Sequence, residues 1–295
     1  MLTVPRTTFK IEPLGPFSLQ AAARFWGGFT PAAHPGLYAS GHLHMAFPVE
    51  GAWNTVGVCT REASDGAITA EVHGESGDVA SVERQTARIL SLDVDGRAFP
   101  SIAERDPVAA DLQRRFPGLR PVCFYSAYEA ATWAIISQRI NSRQAAAVKA
   151  RLAETLGEVV DIHGQSMRAF PAPSVLVELQ EFPGLFGRKA EYLRSVARAA
   201  LVGDLDAGYL RSLPDEVALA QLQSLPGVGP FGAQLILLRG AGHPDYLTLV
   251  EPRFRQAVTR AYGLDHEATD EDLRRISENW RPYRMWQTFL FRQGA

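Results

Sequence analysis

The chain has 295 residues, enough for one large domain or two of ordinary size. With 46% hydrophobic and 21% charged residues it is a folded globular protein, and its two cysteines exclude a disulfide framework and an iron–sulfur cluster held by four cysteines. The net charge of −2 provides no global basic field, so a polyanion site would depend on local geometry.

Residues 1–100 are predicted to form a β-rich α+β domain that contains one helix, SLQAAARFWGG. Short segments rich in β-branched residues and broken by Gly, Asp, Ser and Pro predict the strands, which are LYASGHLHMAFPV, WNTVGVCTRE, AITAEVHG and ARILSLDV. We interpret the face that carries His42 and His44 as solvated rather than as a metal site. The stretch DGRAFPSIAERDP predicts the boundary to a second domain.

Residues 101–295 are predicted to form an all-α bundle of roughly eight short helices. Ser126 with Glu129 and Asn141 with Gln144 have the spacing of capping boxes, which begin helices. Other helix limits are predicted by prolines in first turns and by glycines after last turns, at Pro214, Pro252, Pro282, Gly157, Gly203 and Gly263.

The stretch SLPGVGPFGAQLIL predicts a very short hairpin between two helices. We expect Leu225 and Val228 to anchor it, while Gly227 and Gly229 take backbone angles closed to other residues. The second helix begins near Pro230, so its first N–H groups point outwards and suit a phosphate. The alternative is a plain helical hairpin whose glycines only permit tight packing.

Three segments together resemble the 3-methyladenine DNA glycosylase II family of helix–hairpin–helix DNA glycosylases: YEAATWAIISQRINSRQAAAVKARLAETLG, LPGVGPFGA and ENWRPYRMWQTFLF. The resemblance implies an all-helical glycosylase domain over residues 101–295, preceded by a TATA-binding-protein-like α+β domain over residues 1–100. It further implies duplex DNA as the partner, a monomer, and base excision by flipping the damaged nucleotide out of the duplex.

The catalytic group of that family is an aspartate before a helix, and Glu251 stands at the matching position in LTLVEPRFRQAV. Its carboxylate would stabilise an oxocarbenium-like centre and orient a water molecule. The sequence departs from the family here, because glutamate is one methylene longer. The alternative is that Glu251 only complements the dipole of the following helix. Asp245, the nearest other acid, is interpreted as a turn residue.

The resemblance also implies which residues bind DNA. Gly227, Val228 and Gly229 would contact the backbone from the hairpin. The turn SQRINS, with Gln138, Arg139 and Ile140, would fill the gap left by the flipped base. Arg139 holds the wedge position, where the family more usually has an apolar residue; the alternative is an exposed cap residue.

A monovalent cation, Na⁺ or K⁺, is implied at the hairpin, held by backbone carbonyls of Gln223, Leu225 and Val228. No other cofactor is expected.

The base pocket is expected to be aromatic, because stacked rings stabilise an electron-poor methylated base. Phe231 and Tyr283 match aromatic pocket positions of the family. Trp133, Tyr125 and Trp286 are further candidates, for which core packing is the alternative.

Phe231 also stands where related enzymes that cleave the DNA strand have a nucleophilic lysine, and no lysine follows Lys189. The sequence therefore predicts a monofunctional glycosylase without lyase activity. A non-catalytic or altered-specificity DNA-damage-binding protein is the alternative. No apolar run has the length of a membrane span and no secretory signal is visible, so we expect a cytoplasmic, nucleoid-associated bacterial protein.

Overall fold

The computed structural model describes residues 7–31, 38–75 and 77–294. The N-terminal strands are β1 (Thr7–Ile11), β2 (Tyr38–Ala39), β3 (His42–Pro48), β4 (Thr55–Glu62) and β5 (Ile68–His73). These five strands form one antiparallel sheet in the order β1-β5-β4-β3-β2. β1 was not predicted, and Leu37, the first residue of one predicted strand, lies outside the described residues.

Two helices accompany the sheet, α1 (Leu19–Gly28) and α2 (Val79–Ile89). The first was predicted. The second corrects the sequence analysis, in which ARILSLDV was expected to be a strand. The Asp78 side chain accepts from the Ala80 N–H at the start of α2, and Val82 and Ile89 are buried along one helical face. Capping and helical spacing therefore prevail over the local β-branched pattern.

Helices dominate from residue 102 onwards. They are α3 (Ile102–Arg105), α4 (Pro107–Arg115), α5 (Ala127–Ile136), α6 (Ser142–Leu156), α7 (Pro173–Leu176), α8 (Lys189–Leu201), α9 (Ala207–Ser212), α10 (Asp215–Gln223), α11 (Pro230–Leu235), α12 (Pro252–Ala261), α13 (Asp270–Ser277) and α14 (Arg284–Gly294). A wide π-helical turn, Ile236–Gly240, continues α11. The capping box of Asn141 and Gln144 is confirmed. At α5 only half of the predicted box forms: the Glu129 N–H donates to the Ser126 hydroxyl, but the Glu129 carboxylate pairs with Lys149.

A β-hairpin within this part corrects the prediction that residues 101–295 are all-helical. Its strands are β6 (Val159–Ile162) and β7 (Gln165–Arg168), joined through His163 and Gly164, which both have positive φ. Alternating apolar residues, Val160, Ile162 and Met167, pack against Ala46 and Cys59 of the sheet. Two residues with positive φ match the tight turn that joins twisted strands.

Three large apolar cores organise the described residues, besides the small cluster between β6–β7 and the sheet. The first lies between the sheet and α1 and α2. The second joins α5, α8, α10 and the π-helical turn. The third joins α4, α12 and α14 around Trp280 and Phe254. Among the described residues, none of the helices combines the length and apolar character needed to cross a membrane.

Asp106 ties the third core together. Its carboxylate caps α4 by accepting from the Val108 and Ala109 N–H groups at 3.0 and 3.1 Å. It also accepts from the Trp280 indole at 2.9 Å and from the Tyr262 hydroxyl, which lies at the end of α12.

We expect Asp106→Ala to lower the free energy of unfolding by about 3 kcal/mol, because it leaves several buried donors without an acceptor. Urea unfolding measures this. Asp111→Ala, on the exposed side of the same helix, is the matched control and should change stability by less than about 0.5 kcal/mol. Equal stability of the two variants would contradict this account.

Candidate active site and DNA-binding hairpin

The hairpin occupies the residues between α10 and α11. The Leu225 carbonyl accepts from the Val228 N–H at 3.0 Å, and Val228 is buried in the second core. Gly227 has φ +86°, and a Cβ there would lie 2.4 Å from the Tyr192 ring. Both the conformation and the packing therefore require glycine at this position.

Gly229 differs from Gly227, which corrects the expectation that both need unusual angles. Its φ of −91° and ψ of −178° are extended backbone, as is usual for the residue that precedes a helix. A Cβ built on Gly229 would meet nothing within 4 Å. The chain itself therefore does not require glycine here, and the space beside the start of α11 is open.

The turn between α5 and α6 is bonded directly to the hairpin. The Gln138 side chain donates to the Gly227 carbonyl at 2.5 Å. The Lys189 ammonium donates to the carbonyls of Ile136 and Gln138, both at 2.8 Å, and burial lowers the pKa of Lys189. Gln138 thus joins the turn to the hairpin, and Lys189 joins the turn to α8.

Arg139 and Ile140 lie at the tip of that turn. Arg139 is exposed and has φ +57°, so its side chain projects from a left-handed backbone position. Ile140 is half-buried against the second core. The structure therefore gives the tip one anchored apolar residue and one exposed cationic residue.

A pocket lies beside the hairpin, where two helical stripes face each other. One stripe has the spacing i, i+3, i+4, i+7 along α11 and the π-helical turn, and the other has the same spacing along α14. The lining residues are Phe231, Gln234, Leu235, Leu238, Arg239, Thr248, Glu251, Met285, Thr288, Phe289 and Arg292. Its volume of about 60 Å³ admits a few water molecules but not a nucleobase, so a base must displace side chains at the mouth.

Glu251 is the residue before α12, and its side chain lines this pocket. Its side chain makes no capping hydrogen bond to that helix. Instead, Oε1 lies 2.9 Å from Nε of Arg292, with the Glu251 side chain 13% exposed and that of Arg292 39% exposed. The carboxylate is thus held inside the pocket by an ion pair across the two helices.

Phe231 provides an aromatic face at the same place. It is in the first turn of α11, directly after the hairpin, and is 57% exposed. A large aromatic ring exposed to this extent beside a pocket has a face on which another ring can stack. The structure therefore brings Phe231, Glu251 and the hairpin together.

The other aromatic candidates do not line this pocket. Tyr283 is buried, with its hydroxyl donating to the Asp95 carbonyl at 2.5 Å, and Trp286 packs against its ring. Tyr125 is buried in the first core and Trp133 in the second. The face of α14 that reaches the pocket carries Met285, Thr288, Phe289 and Arg292, so helical spacing turns Trp286 away.

Asp245 lies outside the pocket and supports α14. Its Oδ1 accepts from the Arg284 N–H and Nε at 3.0 and 2.9 Å, and its Oδ2 pairs with Arg281 at 3.2 Å. The carboxylate thus fixes the start of the helix that carries Arg292.

Sequence reasoning missed both pocket arginines. Arg239 is buried below the pocket, where burial lowers its pKa to about 10 and its guanidinium lies over the rings of Phe25, Phe29 and Phe289. An arginine inside the apolar run LILLRG was an available signal. Arg292 has no such local signal, because its partner is 41 positions away in the sequence.

Comparisons with known proteins identify the family of the chain. Residues 132–282 match the family model described as HhH-GPD superfamily base excision DNA repair protein. The DNA-3-methyladenine glycosylase of Bacillus subtilis is 24% identical over 208 residues, covering 68% of this chain and 67% of that protein. The probable bifunctional transcriptional activator/DNA repair enzyme AlkA of Mycobacterium tuberculosis is 31% identical over 217 residues, 72% of this chain, and this chain spans only 42% of its length.

The fold also matches a solved structure. The 3-methyladenine DNA-glycosylase from Archaeoglobus fulgidus superposes with a TM-score of 0.76 over 96% of this chain and 97% of that one, at 23% identity. Because the family model matches just over half of the residues, including the hairpin, the chain belongs to the HhH-GPD superfamily of base excision DNA repair proteins.

Proposed function

We propose that the protein is a monofunctional DNA glycosylase that excises alkylated, 3-methyladenine-type bases from duplex DNA by hydrolysing the N-glycosidic bond. The observation that carries the proposal is the position of the Glu251 carboxylate and the exposed Phe231 ring in one pocket, directly beside the hairpin. Names of relatives that include 3-methyladenine glycosylase support the substrate class.

Glu251 is the proposed catalytic residue. Its carboxylate would stabilise the positive charge that develops on the sugar and orient the attacking water. The ion pair with Arg292 would orient the longer glutamate side chain in the pocket. An alkylated base leaves as a cation that has already formed, so no general acid is required.

The hairpin is the proposed anchor for the DNA backbone. The N–H groups at Gly227, Val228 and Gly229 and the start of α11 would bind one phosphate, and the open space at Gly229 permits close approach. The carbonyls of Gln223, Leu225 and Val228 would bind a cation, since neutral oxygens are ligands for hard cations. The Leu225 carbonyl accepts one hydrogen bond, and its second lone pair remains available for the ion. Such an ion adds positive charge at the phosphate.

Arg139 is the proposed wedge, and Gln138 and Ile140 position it. Arg139 would occupy the space that the flipped nucleotide leaves, by stacking or by binding a phosphate. Phe231 would stack on the flipped base. Tyr283, Tyr125 and Trp133 are buried in the apolar cores and are not part of the proposed base pocket.

The remaining parts of the proposal concern the whole chain. We divide it into residues 1–100, with a TATA-binding-protein-like arrangement, and residues 101–295, with the glycosylase machinery. The protein acts as a monomer on chromosomal DNA in a bacterial cytoplasm.

A binding protein without catalysis is the second candidate. The Arg292–Glu251 ion pair favours it, because a carboxylate that stays paired has less charge available for the sugar. The two candidates differ in whether any base is released.

We expect Glu251→Gln to retain the fold and the affinity for duplex DNA while base release falls by about a hundred- to a thousandfold. Release from methylated duplex DNA measures the rate, and binding to an abasic duplex measures affinity. Glu271→Gln, an exposed substitution on α13, is the matched control. Unchanged release by Glu251→Gln would contradict the assigned role, and no release by the wild type from alkylated, deaminated and oxidised substrates would favour the binding protein.

We expect Gly229→Asp to fold normally, because its backbone is ordinary, its surroundings are open and aspartate caps helices well. Its charge should repel the phosphate and weaken binding to all duplex sequences by roughly tenfold, with the salt slope smaller by about 1. Gly27→Asp, also in open space, introduces the same charge away from the hairpin and should bind as the wild type does.

Gly227→Ala, in contrast, should destabilise the protein, because the added Cβ would clash with the Tyr192 ring.

If a folded Gly229→Asp protein bound DNA as tightly as Gly27→Asp, the hairpin would not be the phosphate site.

We expect base release without strand cleavage. The chain's three lysines all lie within the described residues, and none lines the pocket: Lys10 pairs with Asp65, Lys149 with Glu129, and Lys189 bonds two carbonyls. A Schiff base therefore lacks a nucleophile there. Product DNA should stay intact until heated in alkali, and borohydride should trap no adduct. An adduct formed by the wild type would show that another amine acts.

A further inference from the structure

Four of the chain's seven histidines and one of its two cysteines converge on the outer face of the N-terminal sheet. His42 and His44 are two residues apart on β3, and His44 is opposite Cys59 of β4 in the strand register. Because successive side chains of a strand point to opposite faces, the three share one face. This cluster of His42, His44 and Cys59 has no part in the proposed base excision.

The face is not solvated, contrary to the sequence interpretation. The hairpin β6–β7 covers it, and a Cβ on Gly57 would lie 2.7 Å from the Ile162 side chain, so glycine permits the close approach. His44 is 8% exposed and Cys59 4% exposed. Burying an imidazole and a thiol together, beside the half-buried His42, costs free energy unless a ligand or hydrogen bonds compensate.

The donor atoms are grouped closely enough to share one ion. One ligand atom from each of His42, His44 and Cys59 lies within 4.8 Å of the others, and His42 Nδ1 is 3.2 Å from Cys59 Sγ. Ligands of a tetrahedral zinc ion with bonds of about 2.0–2.3 Å lie roughly 3.5 Å apart. Small side-chain adjustments would therefore complete the coordination.

A second residue orients one of the imidazoles. His44 Nδ1 is 2.9 Å from Oε1 of Gln165, which comes from the covering hairpin. With that oxygen accepting, Nδ1 carries the proton and Nε2 keeps the lone pair that a metal requires. Metal-binding histidines usually donate their other N–H in this way.

We propose that His42, His44 and Cys59 bind one Zn²⁺, with water in the fourth position. A thiolate with two imidazoles is a donor set that zinc prefers, whereas calcium and magnesium require oxygen ligands. The ion would join β3 to β4 and, through Gln165, fasten the hairpin β6–β7 to the sheet. A neutral hydrogen-bonded cluster without metal is the other outcome of the test.

The test uses tag-free full-length protein, because a histidine tag binds zinc. After treatment with a chelator and its removal, Zn²⁺ is titrated in competition with a chromophoric chelator, and bound metal is measured by elemental analysis. We expect one Zn²⁺ per chain, and thiolate-to-metal absorption when Co²⁺ replaces it. Cys59→Ser, which is nearly isosteric, should abolish both, and Gln165→Ala should weaken binding by about ten- to a hundredfold.

Cys123→Ser is the matched control, since Cys123 is buried away from the cluster. It should bind Zn²⁺ as the wild type does, and Zn²⁺ should raise the Tm of both but not that of Cys59→Ser. Circular dichroism establishes that each variant is folded. Equal zinc affinity of the wild type and folded Cys59→Ser, or no zinc uptake by the wild type, would overturn the proposal.

Discussion

Buried guanidinium groups that bind backbone carbonyls are the constraint on which the rest of the structure depends. Arg88 donates to the carbonyls of Phe124, Tyr125 and Gly240, and Arg239 donates to that of Val122. The segment between α4 and α5, which carries Val122, Phe124 and Tyr125, is irregular, so its carbonyls have no ladder or helix to satisfy them. The arginines supply the missing donors and thereby join α2, the segment before α5 and the π-helical turn.

The same arrangement sets the charge of the pocket. Arg239 remains protonated at neutral pH although burial lowers its pKa to about 10, and its guanidinium lies beneath the stripe of α11 residues. Arg292 pairs with Glu251 from the opposite helix. The Glu251 carboxylate is therefore not an isolated charge. In the proposed reaction, a cationic base and the developing charge on the sugar would compete with Arg292 for it.

The two hairpin glycines look alike in the sequence but have different physical reasons to be glycine. Gly227 has positive φ and packs against Tyr192, so the fold requires it. Gly229 has ordinary angles and open space, so any requirement must come from what approaches it from outside. Packing thus accounts for glycine at one of these two positions and not at the other, while Gln138 bonds the hairpin to the turn that carries Arg139.

The sequence by itself determined most helices, the hairpin and the family, because caps, glycines and apolar spacing act over a few residues. It also gave Glu251 and Phe231 as candidate site residues, and the structure brings the two into one pocket. Only the tertiary structure decided that Arg292 pairs with Glu251, that α14 turns Trp286 away from the pocket, and that β6–β7 covers His44. Each of these depends on contacts between segments distant along the chain, where local spacing contains no information about which face meets which.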